Sequence, residues 1–200
     1  NIPVELKKKY LRTYMLFVFF LFLDNQREYY SRECDNVCRI IESSYKDTEE
    51  YNELMGEYYV LESYNNFNNL MAMKENLEKA YNLLRKPSKI LSAGMSMLFR
   101  NPSPVTLYHS NIGKTFEEAE GLDSCMPVFY RITDGKSKGL EASYRAEMLL
   151  YKGELKDANK LCEKTLYMAT SRDQIDIQMG AHLCMCRIAY LRGDTEAVKE

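Results

Sequence analysis

Between Val4 and Lys86 the chain has no proline, and no glycine precedes Gly56. The two strongest helix breakers are missing while Leu, Met, Glu, Lys and Tyr recur at spacings of three and four, so this part can only be read as helices. In "AMKENLEKAYNLLRK" the apolar set Met73, Leu77, Ala80, Tyr81 and Leu84 predicts one helix face. Lys74, Glu75, Glu78 and Lys79 form the wet side. The run "MLFVFFLFL", Met15 to Leu23, follows Lys7, Lys8, Lys9 and Arg12 and so imitates a signal peptide. No small-residue cleavage site follows, and the run is far shorter than the ~20 residues that span a bilayer; it reads as a buried helix.

The stretch "KPSKILSAGMSMLFRNPSPVTLYHSNIG" breaks this pattern with Pro87, Pro102 and Pro104. It is expected to be an irregular insertion over 87–114, and long excursions of this kind often carry function. From Thr115 the periodicity returns and predicts helices near 115–132, 139–152, 154–170 and 173–192, with another starting at about Asp194. Gly153 and Gly193 suit the left-handed residue that ends a helix.

"EMLLYKGELKDANKLCEKTLYMA", "CRIAYLRGDTEAVKE" and "YNNFNNLMAMKENLEKAYNLL" each give an apolar helix, a Gly or Asn break and an Ala-containing helix. Gly153 permits the sharp turn and Ala158 lets the two helices approach, as in tetratricopeptide (TPR) hairpins. Gly153 and Gly193 lie 40 residues apart, against ~34 in a standard repeat, so the units are lengthened. The expected fold is all-α, a superhelical array of TPR-like hairpins with an irregular proline-rich excursion. Residues 1–200 form one helical-repeat domain, and both ends read as cut from a longer chain.

The apolar content is 46% and the net charge -2, with Lys and Arg scattered. No basic footprint for nucleic acid results. The six cysteines, Cys34, Cys38, Cys125, Cys162, Cys184 and Cys186, lack paired zinc spacing and read as reduced thiols of a cytoplasmic protein.

Gly113-Lys114-Thr115 spells the end of a phosphate-binding P-loop, but Tyr108 stands where that motif needs its first glycine, and no strand precedes it. Thr115 and Glu118 instead match a capping box. His109 and His182 have no second ligand at metal spacing. His182 reads as a packed or partly exposed helix residue and His109 as ligand-facing. No nucleophile, base and acid constellation stands out, so no enzyme, cofactor or metal is expected.

The residues left as a candidate ligand site are Arg100, Asn101, Tyr108 and His109 in the excursion with Tyr130, Asp134, Glu141, Tyr144 and Arg145; Arg131, Thr133 and Glu147 lie beside them. Tyr and Arg on one helix face suit stacking and bidentate hydrogen bonding to a small polar molecule or a peptide. They equally suit an Arg145–Glu141 pair at i, i+4 with a buried Tyr.

From about Tyr59 the pieces "LESYNNFNNLMAMKENLEKAYNLL", "KPSKIL", "FRNPSPVTLYH", "MPVFYRITDGKSKGLEASYRAEMLLYKGELKDANKLCEKTLYMA" and "CRIAYLRGD" occur in an order that resembles the helical repeat region of MalT-like, LuxR-type bacterial transcription regulators. That resemblance implies a sensing or protein-interaction segment. A small-molecule effector, a sugar in the best-known member, or a protein segment docks on the repeats and promotes self-association. ATP-binding and DNA-binding modules would lie outside this chain. The loop Asp134-Gly135-Lys136-Ser137-Lys138-Gly139 departs from the glycine- and histidine-containing loop of such relatives. The alternative is a purely structural scaffold that engages another part of the same polypeptide without a small ligand.

Overall fold

The computed structural model describes residues 2–91, 101–171, 174–194 and 196–198. Among them are ten helices and no strand, so the chain is all-α as its periodicity indicates. Its contacts divide it into two compact units, Asn1–Gly94 with Arg131–Asp134, and Met95–Tyr130 with Gly135–Glu200.

The first unit carries α1 (Val4–Lys9), α2 (Leu11–Leu23), α3 (Arg27–Ser44), α4 (Tyr51–Asn65) and α5 (Leu70–Leu83). The apolar run is the core of this unit: Met15, Val18, Phe19 and Phe22 of α2 are buried. Phe22 meets the rings of Tyr64, Phe67 and Tyr30 at centroid distances of 4.9, 5.3 and 5.6 Å. Such tilted and edge-to-face pairs add to the burial of each ring. Phe17 and Phe20, on the outer side of α2, stay exposed. No helix among the described residues is long and apolar enough to cross a membrane.

On α5, Met73, Leu77 and Ala80 are buried as their spacing requires, but Tyr81 is exposed. Its ring lies under the Arg131 guanidinium, 5.5 Å from the centroid, so an aromatic assigned to the core by periodicity serves as a cation platform instead. After α5 the chain is held by Glu57 of α4. Its buried carboxylate accepts from Ser88 Oγ (2.5 Å) and from the Lys89 N–H (2.6 Å).

The second unit carries α6 (Pro104–Tyr108), α7 (Thr115–Ile132), α8 (Leu140–Tyr151), α9 (Leu155–Thr170) and α10 (Ile175–Arg192). The last four match the spans expected from sequence to within two residues. The 87–114 stretch is not wholly irregular, since α6 lies inside it. Pro104 opens that helix where its missing N–H costs nothing, and the Ser103 hydroxyl caps it by accepting from the Thr106 N–H at 3.1 Å.

Helices α8 and α10 end alike. Gly153 and Gly193 are left-handed, with φ of 79° and 72°. The Glu154 N–H reaches back to the Leu149 carbonyl and the Asp194 N–H to that of Ala189, each at 3.0 Å. This six-residue closure absorbs carbonyls left unpaired by the helix end and turns the chain tightly. Past Gly193, the Ala197 N–H donates to Asp194 Oδ1, and residues 196–198 form a turn. The rest of the helix expected there lies outside the described residues.

The turn at Gly153 folds α9 back so that Ala146, Leu150, Ala158, Cys162, Cys184 and Ile188 share one core. All six cysteines are free thiols.

Gly180 on α10 lets the excursion come close: a Cβ there would stand 2.9 Å from the Pro102 carbonyl oxygen. In an open helix Gly→Ala stabilises by about 1 kcal/mol. Gly180→Ala should do the opposite, lowering stability in urea by about 1–3 kcal/mol because backbone must move. A stabilised variant would show that Pro102 does not press on α10.

Candidate functional site

The site is built where the excursion lies against α7 and α8, and its centre is Glu118. Thr115 occupies the first helical turn of α7 rather than the cap. The expected capping box does not form, because Glu118 points its carboxylate at the segment before the helix. Its Oε1 accepts from the Ser110 N–H (2.9 Å), the Ser110 hydroxyl (3.3 Å) and the Asn111 N–H (3.3 Å). Its Oε2 takes the Tyr144 hydroxyl and His109 Nδ1, both at 2.7 Å. Lys114, the lysine of the P-loop-like tripeptide, pairs with Glu117 on its own helix at 2.8 Å.

Burial by itself would raise the Glu118 pKa. The donors from Ser110, His109, Tyr144 and Asn111 outweigh it and bring the pKa down to about 2. Burial, and after it the same carboxylate, push the Tyr144 phenol well above its ordinary value, so it stays a donor. An ionised carboxylate can only accept, so His109 carries its proton on Nδ1. This leaves Nε2 on the side of the ring away from Glu118, on a side chain 33% exposed. His109 is therefore an oriented imidazole at the surface. Its ring is held from behind by a buried anion, as orienting carboxylates hold imidazoles in many working sites.

A second carboxylate fixes the start of the excursion. Glu147 of α8, buried, accepts from Ser103 Oγ at 2.7 and 2.8 Å, from the Val105 N–H at 3.1 Å, from Arg187 at 3.0 Å and from the Tyr151 hydroxyl at 3.3 Å.

The structure scatters the other sequence candidates. Asn101 is spent on the turn itself, its Oδ1 accepting from the Ser103 N–H at 2.9 Å. Tyr108 and Tyr144 are fully buried. Tyr130 donates to Glu141 and its oxygen accepts from the Gly139 N–H. Arg145 pairs with Asp123 of α7 and not with Glu141, which corrects the i, i+4 alternative. Asp134 is exposed with φ of 55° and belongs to the first unit. Arg100 lies outside the described residues. Of the candidates, His109 and Tyr144 converge on Glu118, and Tyr130 and Glu141 pair.

His182 is exposed on α10, where a groove of about 710 Å³ runs past Asn159, His182, Met185, Cys186 and Arg192. None of the nine candidates lines it. Among the described residues no group of three or more His, Cys, Asp or Glu could hold a metal ion.

The residue that sequence reasoning misplaced is Glu118. A signal for it existed: Glu118 falls in register with Leu122, Cys125 and Phe129, all buried, so it stands on the apolar face of its helix. A glutamate on an apolar stripe is buried with donors or it is not there.

Comparison with known proteins finds no matching family model, no similar curated protein and no similar solved structure.

The two glutamates should respond to pH with opposite sign. For Glu118 the folded pKa is below the ordinary carboxyl value, so its stabilisation is present above about pH 4.5 and is lost as the pH falls toward about 2. The shift corresponds to roughly 3 kcal/mol. Glu118→Gln should therefore cost about 2–3 kcal/mol at pH 7 and progressively less in acid. Burial raises the Glu57 pKa despite donors from Ser88, Lys89 and Ile90. Its contribution is greatest below the ordinary carboxyl value and fades as the pH rises through the raised one, so Glu57→Gln should be close to neutral, within about 1 kcal/mol, at pH 7. Urea unfolding of both variants across pH 3 to 7 measures this. Equal costs at pH 7 would refute the distinction.

Proposed function

We propose that this chain is a non-catalytic sensing segment built from TPR-like helical hairpins, related to the repeat region of LuxR-type regulators, and that it takes a small polar ligand at His109. The observation that carries the reading is the pairing of His109 with the ionised Glu118. It fixes the imidazole so that Nε2 accepts from a hydroxyl or amide N–H of a ligand. The tight closures at Gly153 and Gly193 and the shared core of α8, α9 and α10 support the hairpin reading. A sugar hydroxyl fits the acceptor presented, and a bound ligand would pull on a loop already tied to α7 and α8. Relay to ATP-binding and DNA-binding modules belongs to the same proposal.

The structural-scaffold reading keeps one point in its favour: the donors of Ser103, Val105, Ser110 and Asn111 are all satisfied within the chain. Thermal shift against a panel of sugars and small metabolites separates the two. Sensing predicts a melting temperature that climbs with ligand concentration, by about 2.7 kcal/mol of stabilisation at a hundredfold excess over Kd. His109→Ala should remove that rise while leaving the unliganded melting temperature within a few degrees. A panel with no stabilising compound, or a hit indifferent to His109→Ala, would favour the scaffold.

A further inference from the structure

Of the two histidines, His182 is the one with sulfur donors a helical turn away: α10 reads His182-Leu183-Cys184-Met185-Cys186. Residues three and four apart on a helix are surface neighbours, their Cβ atoms about 5–6 Å from each other. His182, Met185 and Cys186 therefore form a triangle on one face of α10, whereas Cys184 turns to the opposite face and is buried in the core. This corrects the expectation that His182 has no second ligand at metal spacing.

The folded chain adds what spacing alone does not give. All three side chains line the same groove of about 710 Å³, which supplies the entry path a metal site needs. His182 is exposed there, and Met185 and Cys186 are half-buried. Met185 also packs against the core of the second unit, which holds it in place. Among the described residues His182 and Cys186 make no hydrogen bond or ion pair, so the ring nitrogen and the thiol are both available.

The donor set decides the ion. Thioether and thiolate sulfur select Cu(I), and an imidazole nitrogen is compatible with it. Zinc sites are closed by nitrogen, thiolate and carboxylate ligands. No group of three or more His, Cys, Asp or Glu among the described residues offers that set. Asp194, also on the groove, is a hard oxygen donor of the kind Cu(I) disfavours. Three ligands at the corners of a triangle suit a cation that is content with three-coordination.

We propose that His182, Met185 and Cys186 form a Cu(I) site on α10. Cys186 binds as the thiolate: its S–H bond breaks, an S–Cu bond forms and the proton leaves to solvent, with no change in the oxidation state of copper or sulfur. The site shares no residue with the one at His109, so either can fail alone.

Anaerobic titration of the full chain with Cu(I), in competition with a chromophoric Cu(I) chelator, tests it. The expected result is one ion retained per chain, with X-ray absorption showing one nitrogen and two sulfur ligands. Cys186→Ser and His182→Ala should each weaken binding by about tenfold or more, since each removes a ligand. Met185→Leu, which keeps the volume, should lower the sulfur count to one. None of the three should move the urea midpoint of the metal-free chain by more than about 1 kcal/mol. Cys38→Ser, the other half-buried thiol, should leave binding unchanged. A chain that loses all Cu(I) to the chelator would overturn the proposal. So would affinity indifferent to Cys186→Ser and His182→Ala, or an ion bound by sulfur alone.

Discussion

The second unit depends on a carboxylate from a helix taking the N–H and hydroxyl groups of a segment that cannot pair them itself. Around Pro87 and Pro102 the described backbone is irregular, so its amides need outside acceptors wherever water is excluded. Glu147 takes the Ser103 hydroxyl and the Val105 N–H, and Glu118 takes the N–H groups of Ser110 and Asn111. Glu57 applies the same solution in the first unit to Ser88 and Lys89. Each time the acceptor is rigid and buried while the donors sit on irregular backbone. A carboxylate suits this task because its oxygens accept several bonds without needing a donor in return.

Among the described residues, the same arrangement takes in an imidazole at Glu118. At Glu57 and Glu147 no imidazole joins the donor set, and those sites anchor backbone. At Glu118 one donor is an imidazole at the surface, so the anchoring bond also orients that ring. Charge balance differs accordingly. Glu118 has enough donors to overcome burial and is held ionised, whereas burial prevails at Glu57. A ligand on His109 would act on a ring tied through one carboxylate to both α7 and Tyr144 of α8.

Hairpin closure and core packing are coupled in the second unit. The left-handed residue at Gly153 lets α9 return against α8, and Ala146 and Ala158 keep the helices close enough for Cys162 and Cys184 to share their core. Packing on the inner side of α10 leaves Ile175, Met179 and Tyr190 exposed on its outer side. Local sequence cannot resolve that situation, because a helix apolar all round has no preferred face of its own.

Helix positions from α7 to α10 were legible in the sequence because periodicity and Gly153 and Gly193 past helix ends are local signals with local causes, whereas α6 lies in the stretch read as irregular. Core membership was legible for Met15, Phe19, Met73 and Leu77, and misleading for Tyr81, whose ring could be claimed by a cation as easily as by the core. His109 was recognisable as unusual, but its partner was not: Thr115 and Glu118 at capping-box spacing offered a local bond, and only the folded chain brought Ser110, Asn111 and Tyr144 to compete for the same carboxylate. Arg145 likewise had Glu141 one turn away and paired with Asp123 of another helix. By itself, then, the sequence determined an all-α chain, its breaks and most of its buried faces, since these follow from hydrogen bonds and apolar contacts within a few residues. Tertiary structure alone decided which donors each buried glutamate collects, because that choice depends on which distant groups lose water together.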